Sequence, residues 1–272
     1  MRNIAEDNVV ARSMIWRMYR DAGDHDYLLA RFSARSNLLY QFWWNAQQAV
    51  EKYLKAALML NGRPVNKYGH KLVEMFNEAQ GFSDGLLPVL HCPPRCVIPN
   101  HWPVYNTRGF LPVAKFVEML ETNGDPNNRY RTFSIVTRPI HLFYFDELCF
   151  SLRRIAFPLD MKYSDGRTTV REELLEHRTV QLHERMGFEQ NLESKHSDVW
   201  NDHYRWCNFA YFYGEALEKA EYPSWGGAIN AEPFLTLSAP SKQGIEALSW
   251  IAENGFPKSI GKSIQSEIQK IS

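Results

Sequence analysis

The 272-residue chain has no run of about 18 consecutive apolar residues, so no membrane-spanning helix is expected. Cysteine is scarce: four residues stand at 92, 96, 149 and 207. So few bridges would add little to a chain this long, which points to free thiols in a reducing cytoplasm. Net charge is absent, with 31 Lys and Arg against 31 Asp and Glu. That excludes the strong basic excess of a dedicated nucleic-acid binder. The balance is uneven along the chain, however. Residues 1–158 hold 19 Lys and Arg against 14 Asp and Glu, and residues 159–272 hold 12 against 17. The first part would attract phosphates weakly and the second would repel them. The stretch Met1–Asp7 turns acidic without an apolar core, so no secretory signal is expected there.

What is present is a core. Hydrophobic residues make up 44% and aromatics 14%, enough for one large domain or two modest ones. Residues 37–60 contain neither Gly nor Pro and keep a helical period. Phe42, Ala46, Ala49, Tyr53, Ala56 and Leu60 share one face, and Trp43, Val50, Leu54 and Ala57 widen it to roughly half the cylinder. A narrow polar strip remains: Gln41, Asn45, Gln48, Glu51, Lys52 and Lys55. This pattern predicts a central bundle helix, ended by a left-handed cap at Asn61-Gly62.

Helix is also predicted over 8–36, with a break near Gly23, and over 70–79, 111–121 and 139–157. Five prolines between 88 and 103 make residues 81–110 an irregular insertion. Beyond Pro158, Thr169-Val170-Arg171-Glu172 reads as a capping box opening a helix to about Ser194. A further helix is expected from Ser197 to before Pro223, an extended piece at Phe234–Leu237, and short helices at 241–253 and 257–270. The class is all-α. Two regions are expected: a bundle over 1–158 and a helical extension of unknown role over 159–272.

The order of features in residues 8–158 resembles the HEPN domain. The resemblance rests on Asp26-Tyr27-Leu28-Leu29-Ala30-Arg31, then Phe42 and Ala46-Gln47-Gln48-Ala49-Val50-Glu51-Lys52 with Lys55-Ala56. Gly69-His70-Lys71-Leu72 follows where the family usually has Thr-His-Asp-Leu, and Arg129-Tyr130 precedes the last helix. It implies an antiparallel bundle of four or five helices that commonly dimerises. Many members are metal-independent ribonucleases of toxin–antitoxin and defence systems. Others bind RNA or nucleotides without cutting, and some pair with a small nucleotidyltransferase.

Family ribonucleases carry an Arg followed, after four to six residues, by His. The Arg fork holds a phosphate, and an imidazole, which ordinarily titrates near ~6.5, moves a proton at the reacting oxygen. Arg63 and His70 meet the spacing but precede the third helix, and Pro64 follows the Arg. Arg129 stands nearer the family position but lacks its His, since His141 is too far along. The catalytic candidates are therefore Arg63, His70 and Arg129. The candidates for holding RNA or a nucleotide are Gln48, Lys52, Lys55, Arg129 and Tyr130. The polar strip has two other readings, a Glu51–Lys55 surface pair with Lys52 solvated, or a dimer seam. His91, Cys92, Cys96 and His101 offer zinc-type donors, but in no usual finger spacing, so no metal or other cofactor is expected. Glu173, His177, His183 and Glu184 read as a solvated face. The aromatics Tyr204 to Tyr213 and Trp225 read as core.

The sequence thus reads as an all-α, HEPN-like cytoplasmic protein that binds RNA or a nucleotide in a defence or toxin–antitoxin setting, without assured catalysis. A metal-independent endoribonuclease and a non-catalytic dimerisation module are the alternatives. The partners implied are RNA or a nucleotide, a second copy of the chain, and a nucleotidyltransferase-type protein.

Overall fold

The computed structural model describes residues 8–93, 110–130, 134–163, 166–176, 226–229, 231–255 and 258–271. Helices dominate them, with two small two-stranded sheets. Contacts divide the chain into two compact units. The first holds residues 1–124 and 138–226, and the second holds 125–137 and 227–272.

The first unit is the bundle. Its opening rod comprises α1 (Val9–Ile15), a π-turn (Trp16–Arg20) and α2 (Asp21–Arg35). Asn8 caps the rod, its side chain accepting from the Val10 and Ala11 amides. The break expected near Gly23 does not occur. Gly23 is buried within α2, where a Cβ would lie 3.0 Å from the Tyr53 ring, so it serves close packing rather than a turn.

The central helix, α3, spans Leu39–Leu60. All ten residues of its predicted apolar face are fully buried. Phe42 packs edge-on to Trp43 and Phe145, with centroids 5.3 and 5.8 Å apart. The expected cap forms as a Schellman turn. Gly62 adopts φ 71°, the Gly62 amide donates to Met59 and the Arg63 amide to Leu58. Asn61 then holds the far end of the bundle. Its Nδ2 donates to the carbonyls of Ala57 (2.7 Å) and Phe157 (2.9 Å), and its Oδ1 accepts from the Leu159 amide (2.9 Å).

Helix α4 runs Leu72–Phe82, two residues later than expected at its start. A residue from another helix caps it, Glu121 accepting from the Val73 amide at 2.9 Å. Beyond it, strand β1 (Leu90–His91) pairs antiparallel with β2 (Leu111–Pro112), closing the base of the predicted insertion. Helix α5 (Val113–Asn123) stops at Gly124. A Cβ on Gly124 would lie 2.4 Å from the Cβ of Gln47 and 2.8 Å from the carbonyl oxygen of Trp43, so only glycine lets α5 end against α3.

Helix α6 (Ile140–Ile155) lies antiparallel to α2, and two reciprocal buried ion pairs lock them. Asp24 of α2 accepts from Arg153 of α6 through both oxygens, at 2.8 and 3.0 Å, and from the Tyr53 hydroxyl at 2.7 Å. Seven residues along each helix the polarity reverses. Arg31 of α2 donates to Asp146 of α6, which also accepts from the Tyr27 hydroxyl at 2.7 Å. Burial works against the Arg153 charge, yet the Asp24 carboxylate outweighs it and holds its pKa above the usual value. Buried ions need such complete pairing, and each tyrosine completes one carboxylate. The capping box also forms. At the start of α7 (Val170–Glu176), the Thr169 amide donates to Glu172 at 2.7 Å and the Glu172 amide to the Thr169 hydroxyl at 3.2 Å. The helices expected over 177–194 and from Ser197, and the aromatics of 204–225, lie outside the described residues.

The second unit contains a 3-10 turn (Pro126–Tyr130), β3 (Ile135–Thr137) paired antiparallel with β4 (Gly227–Ile229), and three helices. These are α8 (Glu232–Ser238), α9 (Lys242–Asn254) and α10 (Lys258–Ile271). The extended piece expected at Phe234–Leu237 is instead helical, because Pro233 sits in the first turn and presets a helical φ. Leu248 and Ala252 of α9 bury against Ile264 and Ile268 of α10. Ser241 caps α9 through the Gly244 amide at 3.1 Å.

Candidate functional site

The polar strip of α3 carries the site. Its position follows from the burial of the opposite face: once Phe42, Trp43, Ala46 and Tyr53 point inward, Gln48, Lys52 and Lys55 point outward. Glu51 is the exception. It belongs to the strip by sequence but is buried, 5% exposed. A buried carboxylate needs donors, and two reach it. Lys55 Nζ donates at 2.6 Å, the predicted spacing-of-four pair. His70, in the turn before α4, places Nδ1 2.8 Å from the other Glu51 oxygen. Because a carboxylate only accepts, Nδ1 is the protonated nitrogen. Nε2 is then the nitrogen left for other partners, on a ring that is 67% exposed.

Lys52 does not stay solvated. It forms a salt bridge with Asp26 of α2. Both strip lysines therefore hold carboxylate partners already, and the strip is close to neutral rather than basic. One turn before Gln48, Trp44 is 40% exposed. Among the described residues its indole makes no ring contact and no hydrogen bond.

Arg63 is exposed, and its amide serves the α3 cap. No hydrogen bond joins its side chain to His70 among the described residues. Arg129 and Tyr130 end the 3-10 turn of the second unit, and their side chains lie outside the described residues.

Of the zinc-type donors, Cys96 and His101 lie outside the described residues. His91 is fully buried on β1 and stacks on Tyr144 at a centroid distance of 4.7 Å, its Nδ1 bonded to Glu147. The neighbouring Cys92 is exposed, so the two do not converge on one point. Among the described residues no group of three His, Cys, Asp or Glu forms a metal-binding cluster. His141, at the start of α6, is a packing residue. Its Nδ1 accepts from the Arg138 amide at 3.1 Å, and burial, with Arg138 nearby, pushes its pKa down to about 3.

Sequence reasoning missed three participants. Glu51 was read as half of a surface pair, and only the path of the chain to His70 makes it a buried hub. Asp26 gives no local sign that it meets Lys52. Trp44 was legible, since its helical angle falls within the polar sector.

Among the described residues no helix is long and apolar enough to cross a membrane. No curated protein and no solved structure matches the chain. The family model described as the HEPN domain matches residues 17–87, from the π-turn through α2, α3 and α4. That match points to a function related to RNA or nucleotides. Residues 17–87, which hold Glu51, His70 and the lysine strip, are thus the part of the chain that is similar to HEPN domains.

Proposed function

We propose that the chain binds RNA or a nucleotide along the α3 strip, with Gln48, Lys52, Lys55 and His70 as the contacting groups. The observation that carries this reading is the Glu51–His70 hydrogen bond of 2.8 Å within the matched domain. It holds an exposed imidazole in one orientation, with its outward nitrogen available to a ribose hydroxyl. Lys52 and Lys55 lie beside it, each able to exchange its carboxylate for a phosphate. Arg129 and Tyr130, which belong to the second unit, are proposed RNA contacts in their own right.

The same hydrogen bond favours a second reading, metal-independent RNA cleavage. A histidine whose Nδ1–H is held by a carboxylate has Nε2 free to take a proton from a 2′-hydroxyl. That oxygen would attack the adjacent phosphorus, and the 5′-oxygen would leave by taking a proton from water, while the imidazolium returns its own to solvent. The exposed Arg63 fork is the candidate phosphate clamp. The setting we propose is cytoplasmic, in defence or toxin–antitoxin function. A homodimer and a nucleotidyltransferase-type protein are the proposed partners. The free thiols of Cys92 and Cys149 support the compartment.

The test is incubation of the purified protein with labelled single-stranded RNA in EDTA, followed by fluorescence polarisation and gel analysis. Binding that weakens in His70→Ala, without cleavage, is the expected outcome. Cleavage by the parent that disappears in His70→Ala would establish the enzyme instead. Neither binding nor cleavage would leave only the interaction module.

A further inference from the structure

We infer that Trp44 is a base-stacking platform, and that the ligand of the α3 strip is single-stranded RNA. The inference rests on the proposed function and specifies what the strip reads. At 3.6 residues per turn, Trp44, Gln48, Glu51 and Lys55 fall within an arc of about 60° on α3, so the indole belongs to the same ridge as the polar groups. It is a large aromatic, 40% exposed, and among the described residues it has no ring contact and no hydrogen bond. Its neighbour Trp43 is fully buried against Phe42 and Phe116, so packing does not require the second indole.

Charge decides what such a ridge recognises. Lys55 is held by Glu51 and Lys52 by Asp26. A phosphate must therefore displace those carboxylates, so counterion release contributes less than it would at unpaired lysines. Stacking on an aromatic face is indifferent to that pairing, and each stacked base contributes substantially. The nucleobase, rather than the phosphate, is the part of the ligand this strip favours. Length selects RNA over a mononucleotide. Trp44 and Lys55 are 11 residues apart, about 16 Å along the helix axis, a span that one nucleotide does not cover.

The experiment compares wild-type protein, Trp44→Ala and Trp44→Phe. The probes are a fluorescein-labelled unstructured RNA of about ten nucleotides, an abasic strand of the same length, and AMP. Trp44→Ala should bind the RNA roughly 5- to 150-fold more weakly, the range expected for one lost stack. Trp44→Phe should recover most of the affinity, and the abasic strand should bind all three proteins alike. Equal RNA binding by wild type and Trp44→Ala overturns the platform while leaving the proposed function in place. AMP binding as tight as RNA binding, with the same dependence on Trp44, overturns the choice of RNA. A fall in sedimentation mass in Trp44→Ala would assign the indole to a protein interface and overturn the inference. Absence of RNA and AMP binding in the wild type defeats the proposed function itself.

Discussion

His141 should make the bundle lose stability on mild acidification. Its ring lies in an aromatic box, 5.2 Å from Trp43, 6.2 Å from Tyr144 and 6.4 Å from Phe116 between centroids, and its Nδ1 lone pair accepts from the Arg138 amide. Burial first, and the Arg138 charge second, hold its pKa at about 3, against 6.5 in the unfolded chain. The folded state therefore resists a proton that the unfolded state accepts. The stability involved is fully present above about pH 6.5 and is lost as pH falls toward 3. Between pH 7 and 5 this one residue should cost about 2 kcal/mol, and below pH 3 about 5 kcal/mol. Urea denaturation at pH 7, 6 and 5 measures it, comparing the wild type with His141→Asn, whose Oδ1 can still accept from the Arg138 amide. The wild type should lose about 2 kcal/mol more than the variant over that range. Parallel pH curves, agreeing within ~0.5 kcal/mol, would mean the folded protein protonates His141 freely and would refute the argument.

The reciprocal ion pairs and the close helix ends give two more expectations. Asp24→Ala leaves the Arg153 guanidinium buried without its carboxylate and should destabilise the fold by about 3–5 kcal/mol, seen as a lower urea midpoint. A loss below ~1 kcal/mol would mean that water reaches that guanidinium. Gly124→Ala forces a Cβ to within 2.4 Å of Gln47 and should cost about 1–3 kcal/mol through displacement of α5. An unchanged melting temperature would show that the α3–α5 contact gives way freely.

Helix positions were legible wherever a single element contained its own cause. The apolar face of α3, its Asn61-Gly62 cap and the Thr169–Glu172 box are all local patterns, and each forms as read. Failures came where a distant element decides. Gly23 reads as a break until Tyr53 is seen packed against it. Phe234–Leu237 failed for a local reason instead, since the neighbouring Pro233 starts a helix there. The matched seven-residue spacing of Asp24 with Arg31 and of Asp146 with Arg153 is visible in the sequence, but not that the two pairs face each other in antiparallel helices.

The same division holds for the candidate site. From the sequence alone came the all-α class, the central helix with one polar strip, the HEPN motifs and the candidate residues Gln48, Lys52, Lys55 and His70, because helical period and residue order are properties of the chain itself. Tertiary structure decided which charges are spoken for. Lys52 meets Asp26 from the preceding helix, and His70 reaches Glu51 across 19 residues of sequence. A carboxylate carried inward by core packing must draw donors from whatever elements surround it, and only the folded arrangement says which those are.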